Sequence, residues 1–175
     1  MEQAEPLTMS AERIGAMPFA PSLLRLDHRC LMVLRSGLAA VRPEEGCALV
    51  IGTKPTAAGD LRITAIWPCC NVWRPSDATD SDLADMSRRN CFVVDPREQI
   101  AAQRWARQRQ CQLLGVAHSH PQSPASPSIR DRHWGQPERL MIILGSDGTL
   151  RAWWMARDRS LHELTILIWD TQQHG

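Results

Sequence analysis

The alternation of apolar and polar positions divides the chain into short strands and three helical stretches. "PSLLRL" reads as a short strand, and Asp27 then opens an amphipathic helix, "DHRCLMVLRSGLAAV", that stops before Pro43. "EEGCALVIG" is an apolar run ended by Gly52, the pattern of a buried strand. "DLRITAIW" sets Leu61, Ile63 and Ala65 against Arg62, Thr64 and Ile66, which predicts a second strand. The clearest helix is "DPREQIAAQRWARQRQ", with Asp95 as its cap and Pro96 in its first turn. "LLGVAHSH" follows as a buried strand running directly into two histidines, and "SIRDRHWG" begins a short helix. A β-meander closes the chain: "RLMIILG", an "SDG" turn, "TLRAWWMA", a "RDRS" turn and "LHELTILIWD". Strands on both sides of well-marked helices predict an α/β domain with a mixed sheet.

Length adds a boundary to this picture. The 175 residues suit one domain. Residues 1–21 read as a flexible leader and 22–175 as the folded unit, interrupted by a long loop between Pro68 and Val94 that has no periodicity. The formal charge of +1 offers no field that would attract nucleic acid or an anionic membrane. Lys54 is the only lysine, and the arginines are scattered, so they mark no binding patch. No apolar run approaches the ~20 residues of a membrane span. The first twenty residues lack the apolar core of a secretion signal, so the six cysteines are expected to be reduced in a cytoplasmic protein.

The chemistry concentrates in residues 118–131, "HSHPQSPASPSIRD". His118 and His120 stand at i and i+2, so on a strand both rings point to one face, and Pro121 ends the pairing beyond them. Two imidazoles supply half of a tetrahedral metal site, and Asp131 could add an oxygen. Ser128-x-x-Asp131 is equally a helix N-terminus with a capping box. The two readings are compatible, because a cap places Ser128 and Asp131 on one face of the first turn. Ser119 points away from the histidines and reads as structural, and His133 reads as a solvated surface group. His162-Glu163 opens an H-E-x-x-H pattern that position 166, an isoleucine, does not complete.

The spacing H-x-H-P, six residues, S-x-x-D resembles the signature of the JAMM (MPN-plus) metallopeptidases, and every specified position is present. "EGCALVIG" resembles the partner motif E-x-C-G-x-L-x-G, with Glu45, Cys47 and Gly52 in register. Ala48 and Val50 depart from it. Register with Cys47 selects Glu45 over Glu44. The resemblance extends from about Ser22 to the C-terminus and is nearest to small bacterial members of the CysO-cysteine peptidase type.

What the resemblance implies is a JAB/MPN domain of cytidine-deaminase-like, three-layer form, in which a mixed sheet is flanked by helices. His118, His120 and Asp131 would hold one Zn²⁺ per chain, Glu45 would be the general base, and Ser128 would donate to the oxyanion. The implied substrate is the Gly-Gly tail of a ubiquitin-like β-grasp sulfur carrier, cut after its terminal glycine. A homodimer is compatible with it. The alternative is a non-catalytic MPN-type scaffold, which typically loses some of the five positions that are intact here. Apart from the resemblance, the long loop of residues 69–94, with Trp73 and Phe92 near its ends, is the candidate wall over the substrate, and the edge of the strand carrying Glu45 could pair with an extended peptide.

Overall fold

The computed structural model describes residues 20–53, 59–75 and 86–170. The expected leader, apart from Ala20 and Pro21, lies outside the described residues. The elements run β1 (Leu23–Asp27), α1 (His28–Ala39), β2 (Cys47–Thr53), β3 (Asp60–Cys69), α2 (Pro96–Gln108), β4 (Gln112–Ser119), α3 (Ile129–Trp134), β5 (Arg139–Leu144), β6 (Leu150–Met155) and β7 (Leu161–Trp169). Asp27 caps α1 by accepting the Arg29 N–H, and Asp95 caps α2 by accepting that of Arg97, with proline in the first turn. These are the caps the sequence predicts.

The α/β class and the mixed sheet are as expected, but the sheet is not an open layer. Its order is β1-β3-β2-β4-β5-β6-β7, and it closes. The closure rests on β1, which runs parallel to both β3 and β7 and joins what would otherwise be two free edges. A strand this short buries its own backbone groups on both sides and removes the edges that invite aggregation.

Helices cover both faces. Leu31, Leu34 and Leu38 of α1 enter the main core with Leu24, Leu26 and Leu61. Ala102 and Ala106 of α2 pack on the opposite face over Leu49, Ile51, Trp67 and Val116. The alternation expected along β3 changes phase part-way. Ile51 pairs with Ala65 but Gly52 pairs with Ile63, so Thr64 is the extra residue of a bulge. Beyond it Ile66 joins the main core, while Ala65 and Trp67 turn toward α2. One inserted residue exchanges the two faces, because side chains on a strand alternate with a period of two.

Strand β2 is paired along both sides, with β3 from Cys47 and with β4 from Cys47 to Gly52. It therefore offers no edge to a peptide, and the expectation that the tail would pair there is corrected. Strand β4, which leads to the histidines, lies between β2 and β5. Its approach to β5 depends on Gly115, where an added Cβ would collide with the Leu140 carbonyl. Gly115→Ala is expected to lower stability by about 1–3 kcal/mol through overpacking. Denaturant unfolding measures this, and an unchanged midpoint would show that β4 and β5 separate freely.

Candidate metal centre

Strand β4 delivers the two histidines by strand geometry alone. His118 lies between Cys47 of β2 and Ile143 of β5, and is fully buried. His120 follows the last paired residue, and its N–H donates to the Leu144 carbonyl at 2.8 Å. Ser119, between them, faces the other way. Its hydroxyl accepts from the Gly46 N–H at 2.9 Å and donates to the Leu38 carbonyl at 3.3 Å. It thus ties the end of α1 to the entry of β2, the structural position its orientation predicts. Gly46 must be bare, since a Cβ there would stand 2.7 Å from the Leu38 carbonyl oxygen.

The chain then returns to the histidines through an anchored loop. Ala125 is buried with Met141 and Ile143, and its carbonyl accepts from the Trp153 indole at 3.3 Å. Ser128 caps α3 in a complete capping box. The Asp131 N–H donates to Ser128 Oγ at 3.1 Å, and the Ser128 N–H donates to Asp131 Oδ2 at 2.7 Å. The capping and site readings of S-x-x-D are therefore realised together. The box turns the carboxylate back toward β4.

Three donor atoms converge as a result. The Nε2 atoms of His118 and His120 are 3.0 Å apart. Asp131 places Oδ1 at 3.1 Å from the first and Oδ2 at 3.3 Å from the second. His120 Nδ1 lies 2.9 Å from the Pro124 carbonyl oxygen. A carbonyl can only accept, so Nδ1 carries the hydrogen and the neutral ring turns the Nε2 lone pair inward. Lone pairs aimed at one another require a cation between them, either a proton or a metal. Two nitrogens and one carboxylate, all within 4.8 Å, form a borderline N/O set that suits Zn²⁺ with room for a further ligand. The residues fit the metal. His118 departs from the usual pattern in one respect: its Nδ1 is buried without a partner among the described residues. Its ring is instead stacked on Phe92, with centroids 4.7 Å apart and planes inclined by 23°.

The same convergence shapes the protonation of the groups. Burial opposes ionisation of Asp131, yet its hydrogen bonds from His118, His120 and Ser128 prevail and hold it well below the usual carboxylate range. Burial likewise opposes a charge on His120, but Asp131 and the Pro124 carbonyl raise its pKa overall. Glu45 is 6% exposed, and burial pushes its carboxyl up to about 6 against the pull of His118 and His120.

Glu45 lines a cavity of about 370 Å³ together with Ser128, Asp131, Phe92 and Arg130. Glu44 does not line it and instead approaches Arg88, 3.9 Å away at the surface. Glu45, Ser128 and Asp131 thus share one cavity, and Asp131 joins it to His118 and His120. Neither glutamate belongs to a strand, although the apolar run suggests one. Glu45 lies ahead of β2, and its N–H donates to the Arg88 carbonyl at 2.6 Å.

The long loop differs from its expectation. Trp73 is not a wall residue: it is buried with Met86 and Cys91 in a small cluster of its own. Phe92 does border the cavity. Two contributions were missed in the sequence. Asn71 and Pro124 act through a side chain or a carbonyl that meets distant partners, and no local pattern marks them. His133 is exposed, as expected.

A family model described as prokaryotic homologs of the JAB domain matches residues 29–156. A desampylase of Pyrococcus furiosus is 27% identical over 81 residues, covering 44% of this chain and 56% of that protein. The chain thus spans little more than half the length of that relative. A probable TtuB-protein conjugate cleaving protease of Thermus thermophilus is 29% identical over 129 residues, 72% of each chain. Among solved structures, a protein from Desulfitobacterium hafniense shares the fold at TM-score 0.69 with 23% identity, covering 86% of this chain and 96% of its own. One from Salinibacter ruber is 30% identical at TM-score 0.57, covering 85% and 92%.

The donor set predicts one zinc per chain in the purified protein. His118→Ala should weaken binding by more than the ~10–100-fold that loss of an outer hydrogen-bond partner costs. Metal analysis after dialysis against a mild chelator checks it, and equal zinc in both proteins would refute the assignment.

Proposed function

The chain belongs to the family of prokaryotic JAB-domain homologs, and on that premise we propose that it is a zinc-dependent peptidase or isopeptidase. Its substrate would be an amide bond after the C-terminal glycine of a ubiquitin-like β-grasp protein. The observation that carries this reading is one cavity lined by Glu45, Ser128 and Asp131, the last of which converges with His118 and His120 on a candidate metal position. The names of two relatives, a desampylase and a conjugate-cleaving protease, support it.

His118, His120 and Asp131 would hold the metal. Bound Zn²⁺ supplies a Lewis acid and a nucleophile at neutral pH. Glu45 takes the proton released by the attacking water and returns it to the departing nitrogen. Its burial keeps bulk water from competing for that proton. Ser128 accepts from the Asp131 N–H, which leaves its own O–H to donate to the oxyanion. Such a donor is worth roughly 3–4 kcal/mol of barrier.

Selectivity has to come from the walls, since none of these groups reads a side chain. Residues 91–94 line the cavity, and Val94 forms an isolated antiparallel bridge with Asn71. Val93 is turned toward residues 71–72, accepting from the Val72 N–H and donating to Asn71 Oδ1. In an extended chain the backbone groups of Phe92 and Val94 then face the other way. They have no backbone partner among the described residues. A substrate tail lying against them would gain main-chain hydrogen bonds, and glycines would pass most easily between Phe92 and α3.

Two outcomes test the reading. Glu45→Gln keeps the zinc and loses hydrolysis by about 10²-fold or more, the range of general-base contributions. Near-normal turnover in that variant would remove Glu45 from the mechanism. A β-grasp carrier extended past its terminal Gly-Gly is cut, and the same carrier with Ala-Val in place of Gly-Gly is cut much more slowly. Equal cleavage of both would leave a general zinc peptidase. Binding of the carrier without cleavage would leave an interaction scaffold.

A further inference from the structure

We propose that Asn71 is a positioning residue that holds Glu45 in register with the substrate-facing wall; this rests on the reading of Glu45 as the base. Glu45 precedes β2, so no sheet ladder fixes it. Its carbonyl instead accepts from Asn71 Nδ2 at 3.1 Å. The second hydrogen of the same Nδ2 goes to the Cys91 carbonyl at 2.8 Å. Oδ1 accepts from the Trp73 N–H at 3.1 Å and from the Val93 N–H at 3.2 Å.

Those four bonds use everything a carboxamide offers, two donors and two acceptor lone pairs. Two carbonyls on one side and two N–H groups on the other admit only one orientation of the amide. The side chain therefore joins three separate segments: the residue ahead of β2, the stretch that follows β3 and the wall at 91–93. That wall also carries Phe92, stacked on His118. Asn71 thus sets the distance between the base and the surface along which the tail would lie. A displacement of about 1 Å at such a point costs on the order of 10²-fold in rate.

A residue that only stabilised the wall would change substrate binding, whereas one that positions Glu45 changes turnover. Asn71→Asp separates these roles. It keeps the acceptors for Trp73 and Val93 but replaces both donors with a charge facing two carbonyls. In the full-length, zinc-loaded protein, with the Gly-Gly-extended carrier as substrate, kcat is expected to fall by tenfold or more while KM stays within about twofold. Zinc remains at one equivalent, and the Glu45 amide, which donates to the Arg88 carbonyl, exchanges its hydrogen faster than in the wild type because the segment loses its second anchor. Asn71→Ala is expected to behave alike; if it fails to fold, Asn71→Asp carries the test. An unchanged kcat with a raised KM would make Asn71 part of the wall alone and overturn the proposal. So would unaltered exchange at Glu45. If the wild type cleaves no carrier, the substrate reading fails by itself, and the Glu45 exchange in the zinc-loaded variants decides Asn71.

Discussion

Two nitrogens of buried histidines and the carboxylate of Asp131 face one another across about 3 Å. That arrangement is unfavourable unless a cation occupies the centre, so the surrounding structure must hold it against its own repulsion. Strand β4 fixes two of the donors because it is paired on both sides by strands that are themselves part of a closed sheet. The third is fixed by the capping box of a helix only six residues long. The hydrogen bonds that start α3 also aim the carboxylate, so helix formation and ligand placement are a single event.

The supports of the two histidines are unequal. His120 is oriented by a carbonyl on its far nitrogen, which sets its tautomer. His118 has no such bond and depends on packing against Phe92 and on complete burial. One ring is held by a directional force and the other by shape. The loop that carries Phe92 is thereby part of the surroundings of His118, and Arg88 and Asn71 extend the same loop to the backbone of Glu45. Glu45, His118 and the 91–94 segment form one mechanical unit.

Much of this was legible in the chain. Both long helices and their caps followed from Asp27, Asp95 and Pro96, since capping acts over three or four residues. The pairing of His118 with His120 on one face followed from the period of a strand. The fourteen-residue spacing from His118 to Asp131 marked the three side chains that converge, and register with Cys47 picked out Glu45, the glutamate that lines the cavity. All of these are short-range relations, and sequence distance reports them well.

The remaining features depend on long-range contacts. Closure of the sheet through β1 depends on strands more than a hundred residues apart, and the phase change at Thr64 depends on how β2 is paired. Both are invisible to a local pattern of apolar residues. The double pairing of β2 removed the edge expected to receive a peptide, and Trp73 turned inward because Met86 and Cys91 were there to cover it. Asn71 sits in an aperiodic stretch and matters only through carbonyls and amides that the fold carries to it. Side-chain type and spacing are local, so the order of residues already decides which atoms could do the chemistry. How those atoms are held was decided by the fold, because a hydrogen bond between residues far apart in sequence exists only once the chain has closed around it.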